Sequence, residues 1–156
     1  MNKDMKIIRT YKQILKSSRK EIFTLLCPVR EKEWLQGWDY DMIISDSGYA
    51  EKGCVFKTNN PYGNYHWVIT KHDFKNYELQ FVKTIMEKLI VIIDISLKKV
   101  SENNTQCYIK YTFIALNEKF IDVLYKESSK EEFNKHMKKW ERSLNYYLKH
   151  NKMLVE

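Results

Sequence analysis

The last amphipathic stretch of the chain, from about Ser129 to Asn151, constrains the fold more than any other segment. At 3.6 residues per turn its apolar side chains share one stripe of a helix, and most of its basic side chains lie opposite. Ser129 and Glu132 have the spacing of a capping box. A helix of this length is about 30 Å long, so it can cross a small sheet. Its stripe, which needs an apolar surface to cover, consists of Phe133, Met137, Trp140, Leu144, Tyr147 and Leu148.

The N-terminal part of the chain predicts a strand followed by two short helices. Ile7–Leu15 alternates between apolar and polar residues in part, which is typical of a strand. Ser18 and Glu21 again have capping-box spacing and open a helix. This helix ends before Pro28, because proline disfavours a helical conformation in the preceding residue. Pro28 can itself occupy the first turn of a second helix, Val29–Leu35.

Further strand patterns follow with short connections, which predicts an antiparallel meander. Odd-numbered residues are the more apolar set, so one face of the sheet is expected to be buried under the last helix. The other face is expected to be wet, with His66, Gln80, Asp94 and Lys110 among its side chains. The predicted strands are Met42–Ser45, Cys54–Thr58, Tyr65–Lys71, Tyr77–Lys83, Leu89–Leu97 and Cys107–Ala115.

One more helical stripe, Phe120–Leu124, precedes the last helix. On one ideal helix it lies roughly opposite the later stripe, so a single straight helix cannot bury both. Ser128-Ser129 is therefore the expected place for a break or kink.

The totals indicate one globular domain spanning residues 1–156, with 44% hydrophobic residues and 14% aromatic residues. The charged N-terminus is unlike a secretory signal, and the longest aliphatic run, Leu89–Ile93, is too short to cross a bilayer. A cytoplasmic protein without membrane insertion is expected. Cys27, Cys54 and Cys107 are widely spaced and form no CxxC motif, so they are expected to be reduced core residues.

The net charge of +7 is carried mostly by lysine, since only 4 of the 27 basic residues are arginine. Arginine makes most bidentate contacts to phosphates and bases, and the basic residues here are scattered along the chain. The charge therefore indicates a solvated surface rather than specific nucleic-acid binding.

Five segments of the chain are distinctive in combination: Leu26–Glu31, Glu33–Trp38, Ser47–Phe56, Tyr111–Leu116 and Trp140–Leu148. Together they resemble a bacterial SRPBCC (START-like) family. Its relatives include activators of the heat-shock ATPase, aromatic polyketide cyclases, lipid-transfer START domains and the birch-pollen allergen type. The resemblance implies an α+β helix-grip fold, in which a curved antiparallel sheet of about six or seven strands grips the long C-terminal helix. It also implies that a cavity often lies between the sheet and the helix.

Large aromatic residues are the best candidates for a binding site, because a fold of this kind can bring them to one interior space. The alternative is that they fill the core. The expected ligand-binding residues are Trp34, Trp38, Trp67, Phe81, Tyr111, Phe113, Met137 and Trp140. An Arg30–Glu141 ion pair at the mouth of a cavity is a further hypothesis, although solvated pairs are the simpler interpretation.

These residues favour binding of a small hydrophobic molecule, lipid-like or aromatic. One alternative is a cyclase-type enzyme in which Tyr111 or Glu141 moves protons. Another is a module that binds a protein partner. The four histidines lack the spacing of metal ligands, and neither a phosphate-binding loop nor a GxGxxG motif is present, so no metal and no cofactor are expected.

Overall fold

The computed structural model describes residues 4–156. Within these residues, seven strands and four helices follow one another, with a short 3-10 turn at Glu118–Phe120. The strands are β1 (Lys6–Leu15), β2 (Asp41–Ile44), β3 (Val55–Thr58), β4 (Tyr65–Asp73), β5 (Glu78–Ile85), β6 (Leu89–Ser101) and β7 (Asn104–Ala115). The helices are α1 (Arg19–Leu25), α2 (Pro28–Trp34), α3 (Ile121–Glu127) and α4 (Lys130–His150).

All seven strands form one curved antiparallel sheet in the order β1-β7-β6-β5-β4-β3-β2. Consecutive strands from β2 to β7 are neighbours, as short connections require. β1, the first strand of the chain, pairs with β7, the last strand, and forms one edge of the sheet. With α4 packed along the sheet and two short helices near the N-terminus, this is the helix-grip fold that the sequence predicted.

Local signals place the two N-terminal helices where they were expected. The Ser18 side chain accepts a hydrogen bond from the Glu21 backbone N–H at 3.3 Å and caps α1. Pro28 begins α2, one residue earlier than predicted, and the helix ends at Trp34. Proline fits this position because the first N–H of a helix has no partner within the helix.

The predicted break between the last two helices is confirmed. α3 ends at Glu127, and the Ser128 hydroxyl donates a hydrogen bond to the Leu124 carbonyl at 2.6 Å. The Ser129 hydroxyl then accepts from the Glu132 N–H at 3.2 Å and starts α4. Most of the predicted stripe is buried: Phe133, Met137, Trp140 and Leu144.

The long helix is fastened to the free edge of β1 by side chains one turn apart. Glu141 accepts a hydrogen bond from the Ile14 N–H at 2.7 Å. Asn145 accepts from the Lys16 N–H and donates to the Ile14 carbonyl, both at 2.9 Å. Backbone groups that an edge strand would otherwise leave open are thereby satisfied.

The odd-numbered positions of the central strands face inward, as predicted, but the outer face is less polar than expected. Val68, Val82 and Ile92 are paired across β4, β5 and β6, and Thr112 and Ile8 continue this row. Ile8 is exposed and the others are partly buried. The prediction of a wet face considered the polar members of the even-numbered set and missed these aliphatic ones.

No helix among residues 4–156 is both long and apolar enough to span a membrane. The three cysteines are buried and free.

Candidate functional site

A cavity lies between the inner face of the sheet, α2 and α4. The space not filled by atoms is about 490 Å³, counting the part open to solvent. Its walls come from the strands β3 to β7, from the two helices and from the segment after α2. The lining residues are Glu31, Leu35, Trp38, Phe56, Trp67, Phe81, Ile93, Ile95, Tyr111, His136 and Trp140. We call it the aromatic cavity.

Trp67 is at the centre of the aromatic wall. Its ring is stacked on Phe56 with 5.1 Å between centroids, and it meets Trp38 and Phe81 edge to face at 6.1 Å each. The indole N–H donates to the Thr58 hydroxyl at 2.9 Å. Offset and edge-to-face contacts of this kind fix ring positions, so this wall is rigid before any ligand arrives.

Trp140 forms the wall on the side of the long helix. Its ring lies parallel to that of Trp34, which is fully buried behind it. The buried indole N–H of Trp140 has no hydrogen-bond partner among the described residues. This donor is closed off from solvent and from the cavity space, and leaving it unpaired costs free energy.

Glu31 brings a carboxyl group to the aromatic cavity. The short helix α2 starts at Pro28, which places Glu31 toward the cavity while Arg30 and Glu33 pair on the outside at 2.8 Å. No hydrogen bond or ion pair from any residue between 4 and 156 reaches the Glu31 carboxyl. Desolvation by burial raises the pKa of Glu31 to about 8. At neutral pH this group is therefore mainly a neutral acid that can donate a hydrogen bond.

A second, more polar cavity adjoins the first. Its empty volume is about 690 Å³, solvent-open space included. Tyr111 and His136 line both cavities and so lie at their junction. The lining residues of the polar cavity are Asn60, Tyr65, Lys83, Tyr111, Phe113, Glu127, Glu132, Phe133 and His136.

The groups at the junction are neutral at neutral pH. Desolvation, followed by the nearby Glu31 and Tyr65, raises the pKa of the Tyr111 hydroxyl. Desolvation lowers the pKa of His136, and the Lys83 and Lys139 ammonium groups add to this effect. His136 is exposed, so solvent weakens the desolvation part of the shift. Both side chains can exchange hydrogen bonds with a bound molecule without carrying charge.

Lys83 is the cationic residue of the polar cavity. It lies opposite Trp67 on β4 and Val91 on β6, in the inward-facing register of β5. Desolvation lowers the pKa of the Lys83 ammonium to about 8, while the charge of Glu127 acts in the opposite direction. An amine in this position has a larger neutral fraction at pH 7 than a surface lysine, although it is still mostly protonated.

The structure gathers most of the predicted ligand-binding residues, but not all of them, on cavity walls. Five line the aromatic cavity and Tyr111 also lines the polar one: Trp38, Trp67, Phe81, Tyr111 and Trp140. Phe113 lines the polar cavity alone. Trp34 and Met137 are fully buried and lie in the closed core, because the ring of Trp140 and the turns of α4 stand in front of them.

The Arg30–Glu141 pair is wrong. Arg30 pairs bidentately with Glu33, and Tyr147 donates to the same carboxylate at 2.7 Å. Glu141 is bonded to the Ile14 backbone at the sheet edge and lines neither cavity. The role of Glu141 as a proton carrier in a cavity is therefore also wrong. An oppositely charged partner three residues away within α2 was the nearer choice for Arg30.

Sequence reasoning missed Glu31, Lys83, Phe56 and His136. Lys83 had a usable signal, since it continues the inward series Leu79 and Phe81 in one strand. Glu31 had none, because a helix of only two turns does not define which of its charged residues faces the core.

Several solved structures share this fold. A hypothetical protein from Helicobacter pylori superimposes with a TM-score of 0.71 and 12% identity, over 90% of this chain and 87% of that one. Norcoclaurine synthase from Thalictrum flavum, in complex with dopamine and hydroxybenzaldehyde, gives a TM-score of 0.64 and 10% identity over 93% and 88% of the two chains. Major latex-like protein 151 from Panax ginseng gives 0.64 and 12% over 92% and 98%.

No protein-family model matches the chain, and no curated protein matches it in sequence. At identities of 10–12% the structural likeness establishes the helix-grip fold, and function has to be argued from the site itself.

Proposed function

We propose that this protein binds a small, mainly apolar molecule in the aromatic cavity between the sheet and α4. The observation that carries the proposal is a preformed cavity walled by packed rings and aliphatic side chains, with few polar groups at its surface. Burial of apolar ligand surface against such walls provides the affinity. The ligand-binding role of Trp38, Trp67, Phe81, Tyr111, Phe113 and Trp140 is part of this proposal.

The polar groups of the cavity define the ligand further. The neutral carboxyl of Glu31 and the Tyr111 hydroxyl can both donate hydrogen bonds to a ligand. A ligand that fits them carries an oxygen acceptor on an otherwise apolar or aromatic body. These donors could also bind an anionic ligand. A cationic ligand would find no carboxylate partner in this cavity while Glu31 is protonated.

The neighbours with the same fold support a small aromatic ligand. Norcoclaurine synthase was solved with dopamine and hydroxybenzaldehyde, which are single-ring compounds bearing oxygen atoms. The ring of such a compound matches the aromatic walls of this cavity.

Native mass spectrometry of the freshly purified protein tests the proposal, followed by extraction and identification of the bound molecule. Ile95→Phe fills the aromatic cavity from β6, since Ile95 lines it. Ile92→Phe is the matched control, because Ile92 lies on the outer face of the same strand. We expect Ile95→Phe alone to lose the bound mass. Retention of the ligand in both variants would contradict the proposed location.

A second candidate function is catalysis on the same ligand, and the protonated Glu31 beside Tyr111 favours it. A carboxyl with a pKa of about 8 is matched to proton transfer at neutral pH. Once a ligand is known, Glu31→Gln should abolish its conversion while binding persists. Conversion at the wild-type rate by Glu31→Gln would exclude this role.

A further inference from the structure

Lys83 is held by aromatic rings rather than by a carboxylate. Its Nζ lies 4.2 Å from the ring centroid of Tyr65 and 4.7 Å from that of Trp67. It makes no hydrogen bond or ion pair with the residues that the structure describes. The rings attract the charged ammonium. When the amine loses its proton, no hydrogen-bond donor among the described residues occupies the nitrogen lone pair.

Ionisable groups surround this amine on several elements. Tyr65 faces it from β4, Tyr111 from β7, Glu127 from α3, and Glu132 and His136 from α4. Among these, Glu127 raises the pKa of Lys83, and desolvation outweighs that effect so that the pKa falls to about 8. At pH 7 the neutral fraction of such an amine is roughly 200-fold that of an ordinary lysine.

We propose that Lys83 forms a reversible imine with a small aldehyde or ketone whose apolar part lies in the aromatic cavity. The inference rests on the proposed function, since it assigns the class of ligand for the same site. Trp67 connects the two regions: its ring walls the aromatic cavity and contacts the Lys83 amine. The aromatic and polar cavities adjoin at Tyr111 and His136, which line both of them.

The chemistry balances with the groups present. The Nζ lone pair attacks the carbonyl carbon, the C–N bond forms, the carbonyl π electrons move to oxygen, and one proton passes from nitrogen to that oxygen. The hydroxyl of the resulting carbinolamine takes a proton from a carboxyl group and leaves as water as the nitrogen lone pair forms the C=N bond. The nitrogen then returns its second proton to the carboxylate. Glu127 and Glu132 line the cavity and can take up and return these protons. Addition of water reverses the reaction.

Reductive trapping with 2-naphthaldehyde and cyanoborohydride tests the inference on the full chain. The imine is reduced to a stable secondary amine, and peptide mapping by mass spectrometry locates it among the 23 lysines. We expect Lys83 to be modified first, about tenfold faster than other lysines at pH 7. The Lys83→Arg variant should lose this adduct. Lys88→Arg is the matched control, because Lys88 is also partly buried near the end of β5 and its Nζ donates to the Tyr62 carbonyl.

The wild-type protein provides a second readout that needs no variant. Trapping at Lys83 should reach half of its maximal rate near pH 8. An excess of 2-naphthol, an aromatic alcohol that forms no imine, should slow this trapping. Modification spread over surface lysines, or unchanged in Lys83→Arg, would overturn the inference. Binding of 2-naphthol measured by native mass spectrometry separates the two proposals. If 2-naphthol binds and Lys83 is not trapped, only the imine is wrong. If Lys83 is trapped and 2-naphthol neither binds nor protects, the proposed apolar site is wrong.

Discussion

The indole rings of Trp34 and Trp140 lie parallel, with 6.1 Å between their centroids and 5° between their planes. Their surroundings differ. Trp34 is completely buried and donates its N–H to the Leu25 carbonyl at 3.0 Å. Trp140 lines the aromatic cavity and its N–H is unpaired. The pair thus marks the boundary between closed core and open cavity.

Substitution of each tryptophan by alanine should therefore have different costs. Trp34→Ala removes a close-packed ring and a hydrogen bond and should lower the free energy of unfolding by about 3–5 kcal/mol. Trp140→Ala removes a ring that already lacks protein contacts on one side, so we expect a loss of about 1–2 kcal/mol. Denaturant unfolding of both variants measures the difference. Equal losses of the larger size would mean that Trp140 is a core residue.

Glu31 should make stability depend on pH in a defined direction. Its folded-state pKa is raised from 4.5 to about 8, so the folded protein binds this proton more tightly than the unfolded chain does. The contribution is fully present below about pH 4.5 and is lost as the pH rises toward 8. Glu31→Gln should match the wild type near pH 5 and exceed its stability at pH 9 by about 1–3 kcal/mol.

Glu33→Gln is the control for this experiment, because it lies two residues away on the same helix. Arg30, acting mainly through a hydrogen bond, holds the pKa of Glu33 below its usual value. The pH dependence of stability therefore has the opposite sign for Glu33. Its stabilising contribution is present above the ordinary pKa of a glutamate and is lost in acid. Glu33→Gln should thus lower stability slightly at neutral pH. A gain in stability at pH 9 in both variants would contradict the assignment to Glu31.

Asn145 should fasten the long helix to the edge of the sheet. Asn145→Ala removes two hydrogen bonds, to the Lys16 N–H and to the Ile14 carbonyl, and should cost about 1–2 kcal/mol. Amide exchange of Lys16 should quicken in this variant. Asn145→Asp keeps the acceptor for the Lys16 N–H and should preserve its protection. Unchanged exchange in Asn145→Ala would show that Asn145 does not fasten the helix to the edge strand.

The sequence predicts the fold well because apolar periodicity and capping residues act locally. The stripe of the last helix, the break at Ser128-Ser129 and the Pro28 helix start all follow from neighbouring residues. The site is predicted less well. A cavity forms where large side chains do not pack against one another, and the sequence does not show where this happens. Trp34 and Trp140 are both large aromatic residues on helices, yet Trp140 lines the cavity and Trp34 is part of the closed core. Lys83 was missed because a lysine in an apolar face runs against the expected pattern.

The central claim is that an apolar molecule binds beside Trp38, Trp67 and Trp140, and the indole N–H resonances test it most directly. The chain has four tryptophans. Trp38, Trp67 and Trp140 line the aromatic cavity, whereas Trp34 is fully buried in the core. Titration of the ¹⁵N-labelled protein with 2-naphthol should move the resonances of the three lining tryptophans with one saturable affinity and that of Trp34 least. If all four resonances stay in place, or if Trp34 moves most, no ligand enters the aromatic cavity and the account is wrong.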